Sequence, residues 1–137
     1  MALKTLLAAY TADPQYNLHF YMDLHSHSTN KNVFLYGNYH NDEARNEAQW
    51  IFPRLMAMHA EDFSIENTDF NSHKAKAGTG RRTLSLVLEP KAQIYTLEVS
   101  FFCFVTENGA GVIVPYDEAS YAKIGNTLGK AFSDYYL

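Results

Sequence analysis

Two short stretches hold the residue types best suited to chemistry. The first is Asp23-Leu24-His25-Ser26-His27-Ser28, which closes an alternating apolar run and opens a polar one. An imidazole leaving the C-terminal end of a strand stands where open α/β sheets bind their ligands. His25 is there a candidate metal ligand, and Asp23 or Ser28 could orient one of its ring nitrogens. The same His-x-His spacing also arises when two surface histidines simply fall near each other. The second stretch is Tyr95-Thr96-Leu97-Glu98-Val99-Ser100-Phe101-Phe102, where Glu98 is the one charge in an uncharged run. A carboxylate desolvated in that setting needs a partner and is a candidate general base. Glu98 could equally sit on a solvated strand face, alternating with inward Leu97 and Val99.

A third feature is electrostatic. Lys74, Lys76, Arg81 and Arg82 are four of the 11 basic residues, and no carboxylate lies between Asp69 and Glu89. Such a local positive field suits an acidic peptide tail, and Gly78 and Gly80 suit close approach of a ligand to the backbone. A solvated loop would show the same composition. His40 and Glu43 match a His-x-x-Glu metal spacing, but Asp42 and Glu43 read better as acidic residues at the positive end of a helix.

The elements that must position these residues follow from periodicity. Leu3, Leu6, Leu7 and Tyr10 share one helical face, and Asp13-Pro14 ends that helix. Residues 18–24 alternate as a strand lying inside a sheet, residues 25–32 form a loop, and residues 33–36 form a second strand closed by Gly37. Residues 42–59 are helical, with Pro53 kinking the helix or starting a fresh one. Residues 67–80 are polar and loop-like. Residues 82–88 alternate as a strand, 89–91 turn, and 94–104 form another strand. A loop at 107–111 leads to an extended 112–114 and a helix over 117–137, with Asp117 as its N-cap. Helices at both ends with strands between them give an α/β fold with a mixed sheet.

Composition limits the function classes. The chain has 137 residues, fitting one domain over 1–137 with a core of its own. Asp+Glu outnumber Lys+Arg by 15 to 11, which argues against a general nucleic-acid binder. No run approaches the ~18 apolar residues of a membrane span, and the opening segment lacks a secretory cleavage site. Cys103, the single cysteine, supports no internal disulfide and fits a reducing cytoplasm.

Taken together, these motifs resemble a known family. Phe20-Tyr21-Met22-Asp23-Leu24-His25-Ser26-His27-Ser28 followed by Lys31-Asn32-Val33-Phe34-Leu35-Tyr36-Gly37 looks like the third-zinc-ligand segment of the cytosolic carboxypeptidases. Phe52-Pro53-Arg54-Leu55, Gly78-Thr79-Gly80-Arg81, Tyr95-Thr96-Leu97-Glu98-Val99-Ser100-Phe101 and Ile124-Gly125-Asn126-Thr127-Leu128-Gly129 follow in the family's order. Ser26 departs from the family's usual glycine.

The resemblance implies the C-terminal part of a carboxypeptidase-like α/β/α fold, with its mixed sheet flanked by helices. It implies a zinc metallopeptidase that removes C-terminal residues, glutamate above all, from acidic tails such as those of tubulin. The location expected is cytoplasmic, cytoskeletal or ciliary. His25 then matches the third zinc ligand and Glu98 the general base; Arg81 and Arg82, from the basic cluster, are the candidates to hold an acidic substrate side chain. The family's first two ligands come from an upstream His-x-x-Glu motif, and here that spacing occurs only at His40–Glu43, after His25. The expectation is therefore half of a catalytic domain, completed by an N-terminal half, or else a non-catalytic peptide-binding or structural relative.

Overall fold

Alternating residues build a four-stranded mixed sheet from β1 (Phe20–His27), β2 (Val33–Asn38), β3 (Asp69–Asn71) and β4 (Gln93–Ser100). The computed structural model describes residues 2–71, 78–88, 92–106 and 111–137. The strand order is β1-β4-β2-β3, with β1 parallel to β4, β2 antiparallel to β4, and β3 parallel to β2. A two-stranded sheet pairs β5 (Cys103–Val105) with β6 (Ile113–Pro115).

Side chains alternate across a strand, so the register sorts them into two faces. Phe20 and Met22 of β1, Val33 and Leu35 of β2, and Tyr95 and Leu97 of β4 belong to one apolar cluster. Helices α3 (Ile51–His59) and α5 (Glu118–Tyr136) cover that face through Phe52, Met56, Ile124, Ala131 and Phe132. Phe20 is its hub, with ring centroids 4.7 Å from Phe52 and 4.8 Å from Phe132. Offset and edge-on aromatic contacts of this kind add to the burial of area. The opposite face carries a smaller cluster of Leu7, Leu84, Leu88, Ala92 and Ile94 beneath α1 (Ala2–Ala12) and α4 (Gly80–Leu88).

Helix ends follow local chemistry. Asp117, extended at φ −125°, accepts a hydrogen bond from the Ser120 amide at 2.7 Å and starts α5. The Ser120 hydroxyl, which donates to the same oxygen at 2.6 Å, and then this amide hold the Asp117 carboxyl below its ordinary pKa. Asp42 caps α2 (Glu43–Gln49) in the same way. The helix expected over 42–59 breaks at Trp50, and Pro53 lies in the first turn of α3, where its missing N–H costs nothing.

Two expected elements are corrected. Residues 82–88 lie in helix α4, not in a strand. A strand would have placed Leu84, Leu86 and Leu88 on one face, whereas Leu86 is 82% exposed and Arg81, Leu84 and Leu88 are buried at helical spacing. The expected loop at 25–32 begins later, because β1 keeps pairing with β4 as far as His27↔Ser100. His25, Ser26 and His27 are strand residues. The chain then turns through Asn32, whose φ of 69° is a left-handed conformation that asparagine tolerates.

The strand expected over 94–104 is divided between β4 and β5. Lys74, Lys76, the 89–91 turn and most of the 107–111 loop lie outside the described residues. Among those described, no helix is long and apolar enough to cross a membrane.

Gly37 gives a direct test of the packing. A Cβ there would overlap the Phe70 ring on neighbouring β3. Gly37→Ala should lower stability by about 1–3 kcal/mol, as overpacking does. Thermal unfolding of Gly37→Ala, Phe70→Ala and the double variant checks this, the combined loss being smaller than the two single losses added.

Candidate functional site

The parallel register of β1 and β4 sets His25 directly beside Glu98, and the antiparallel register of β2 sets Phe34 on the other side of Glu98. Two residues earlier, Asp23 pairs with Thr96, and Thr96 also pairs with Tyr36. All six therefore face the same side of the sheet, beneath the start of α4. There a cavity of about 190 Å³ is lined by Asp23, His25, Tyr36, Thr96 and Glu98 from the sheet and by Thr79, Gly80 and Arg81 from the helix start.

The groups differ in burial. Glu98 is only 8% exposed, so the reading of it as a solvated-face residue fails. The His25 side chain is 54% exposed and the Asp23 side chain 31%. His25 Nε2 lies 3.2 Å from Asp23 Oδ2. Burial, with the Asp23 carboxylate as the second cause, raises the Tyr21 phenol above its ordinary pKa, so that hydroxyl stays neutral beside the site.

The two arginines part company. Arg81 is 1% exposed, and its Nη1 donates to the Gly37 carbonyl and to Asn38 Oδ1, which ties α4 to the end of β2. It lines the cavity with Glu98. Arg82 points elsewhere, with Nη1 donating to the Asn71 carbonyl at 2.9 Å. The structure thus brings His25, Glu98 and Arg81 together and leaves Arg82 outside.

His27 is engaged locally. Its Nδ1 accepts the Asn30 amide at 2.9 Å, and its ring stands edge-on to Phe34 with centroids 5.2 Å apart. Glu43 opens α2, and the His40 amide donates to Asn46 Oδ1 at 2.9 Å, so this pair belongs to a helix start, as its composition suggests.

A metal centre needs more than one such donor. His25 fits a single coordination position, since one ring nitrogen faces a carboxylate and the exposed ring can offer the other. Among the described residues no group of three or more His, Cys, Asp or Glu side chains gathers to hold a metal ion. The residues present fit one ligand's share of a centre and not the whole of it.

Sequence reasoning missed two features. Tyr36 and Thr96 line the cavity, and strand parity with Glu98 was the signal that could have found them. A larger cavity of about 500 Å³ opens on the other face between β1 and α5, lined by Leu24, Leu97, Val99, Phe101, Tyr121 and Leu128 among others. Its walls include Leu24 at 64% exposure and Phe101 at 57%.

Comparison with known proteins places this geometry. No protein-family model matches the chain. The human protein named cytosolic carboxypeptidase 6 is 46% identical over 134 residues, covering 98% of this chain and 26% of that protein. Its Caenorhabditis elegans namesake is 39% identical over 142 residues, covering 98% and 30% respectively. The chain therefore spans between a quarter and a third of the length of these relatives. A metallo-carboxypeptidase from Burkholderia cenocepacia superposes with a TM-score of 0.64 at 16% identity, over 87% of this chain and 31% of that one. A putative carboxypeptidase A from Shewanella denitrificans gives 0.63 at 19%, over 88% and 33%. The sequence matches and the shared fold agree: the chain belongs to the metallocarboxypeptidase family, in its cytosolic carboxypeptidase branch, and matches a C-terminal portion of it.

Proposed function

We propose that this chain supplies the general base and one metal-ligating histidine of a cytosolic carboxypeptidase that removes C-terminal glutamate from acidic protein tails, tubulin tails being the type. The observation that supports this most directly is the pairing of His25 with Glu98 across parallel strands in one cavity. In this reading residues 1–137 are one portion of a catalytic domain, and the remaining ligands come from a preceding portion of that domain. The working location is the cytoplasm, including its cytoskeletal and ciliary structures.

Each residue has a chemical task. Glu98, ionised, only accepts protons. It takes one from the attacking water and delivers it to the leaving amine as the peptide bond breaks. His25 would hold Zn²⁺, which when bound polarises the scissile carbonyl and eases deprotonation of water. Arg81, at the α4 end of the cavity, holds positive charge where an acidic side chain enters, and its burial limits screening by salt. Arg82 contributes to the outer field.

Three outcomes test the reading. In a protein of the relatives' length that contains this segment, Glu98→Gln should leave metal content unchanged and lower turnover by ~10²–10⁴-fold. Turnover that survives the change would point to peptide binding without catalysis by this residue. Purified alone, the 137-residue chain should hold zinc well below one equivalent by metal analysis, since catalytic sites use three protein ligands. Stoichiometric zinc would require a ligand set from within the chain. Finally, Arg81→Lys keeps the charge and loses the planar fork. It should reduce kcat/KM on glutamate-ended peptides by ~10–100-fold more than on neutral ones, about the worth of one charged hydrogen bond.

A further inference from the structure

Arg81 is a buried cation, and the acceptors that take its Nη1 protons are the Gly37 carbonyl and Asn38 Oδ1. Both acceptors are amide oxygens. They satisfy the guanidinium's donors without cancelling its charge. A carboxylate at position 38 would accept the same bond and bring a compensating negative charge with it.

Asn38 is itself held from more than one side. It ends β2, where Phe34, Tyr36 and Asn38 recur at every second residue, the parity that faces the cavity. Gln49, the buried last residue of α2, donates from Nε2 to the Asn38 carbonyl at 2.9 Å. The Tyr95 hydroxyl, reaching out of the apolar core, donates in turn to the Gln49 carbonyl at 2.8 Å. A line of buried polar groups thus runs from the core through the end of α2 to Asn38 and the guanidinium. Networks of this kind, once satisfied, hold their members in one arrangement.

We infer that Asn38 is the positioning residue of Arg81: a neutral acceptor that fixes the guanidinium at the cavity and preserves its charge for an acidic side chain. Gln49 supports Asn38 in that place. The inference rests on the proposed role of Arg81 in recognition, and it adds the group that holds the cation and the reason that group is an amide.

Asn38→Asp, in a protein of the relatives' length that contains this segment, separates this role from a structural one. The change keeps shape and acceptor, and a carboxylate binds a guanidinium more strongly than an amide does, so a merely structural residue would tolerate it. The inference expects the preference for glutamate-ended over neutral peptides, as a ratio of kcat/KM, to fall on the order of 10-fold. The fall should come through KM and not kcat. An unchanged ratio would overturn the inference.

A second measurement needs no turnover. In the ¹⁵N-labelled 137-residue chain, the Arg81 guanidinium, assigned by comparison with Arg81→Lys, should give separate Nη resonances because its rotation is hindered. In Asn38→Ala those resonances should merge at a lower temperature. Equal hindrance in both chains would also overturn the inference. If Arg81→Lys leaves the peptide preference intact, the role of Arg81 in recognition falls, and the resonances still report whether Asn38 holds it. If Arg81→Lys lowers the preference and Asn38→Asp does not, only the inference falls.

Discussion

The site depends on the register in which β1 lies beside β4. Strand side chains repeat every two residues, so a slip by one would turn His25 to the α5 side and set Leu24 or Ser26 next to Glu98. Several contacts hold the register. The Gln93 amide donates to the His19 carbonyl at 2.8 Å where the pair begins, and the Phe101 amide to that of His27 at 3.1 Å where it ends. Asn32 locks the far end: its side chain donates to the Val105 carbonyl at 3.1 Å and accepts the Val105 amide at 3.0 Å, while its carbonyl accepts Ser100. Burial of Phe20 and Met22 against α5 makes the same choice of face.

Once the register is set, α4 closes the site. A nine-residue helix is too short to have much intrinsic stability, and Gly80, Thr83, Ser85 and Val87 add little to it, so its place is decided by what it buries. Leu84 and Leu88 enter the cluster with Leu7, and Arg81 enters the sheet as a charged bolt to Gly37 and Asn38. A buried guanidinium lining the same cavity as two carboxylates changes how that cavity meets charge. Its floor combines a proton acceptor, a cation and an imidazole within a small space, which is a setting for a polar reaction and not for apolar binding.

Much of this was legible in the sequence, for physical reasons that vary by element. The β2 strand, the Asp117 cap and the stripe of Ile124, Leu128 and Phe132 were readable because burial and local hydrogen bonding agree with periodicity there. The α4 helix was misread because Leu84, Leu86 and Leu88 fit a period of two, and only tertiary packing reveals Leu86 as solvent-facing. The end of β1 was misread because His25, Ser26 and His27 are polar, while their extended backbone is held by pairing with a strand distant in sequence. His25 and Glu98 stood out as chemical types. Their adjacency is a property of the sheet, and so is the difference between Arg81 and Arg82, since consecutive helical residues point in different directions.

The same sheet order has a consequence for synthesis. The strand that β1 pairs with is β4, yet β2, three helices and β3 separate them along the chain. Within this segment a growing polypeptide completes Phe20–His27 well before Gln93–Ser100, the strand it pairs with in this sheet. Pairings of such long range are slow to form. Until then Phe20, Met22 and Leu24 lack that neighbour, and an apolar strand edge without its neighbour is the kind of segment that seeks another edge. Asp23, His25 and His27 interrupt this apolar set with polar side chains at every second position. Asp23 and His25, which line the finished cavity, thus have a second consequence: polar side chains flanking an apolar strand work against its self-association during the interval before its neighbour is made.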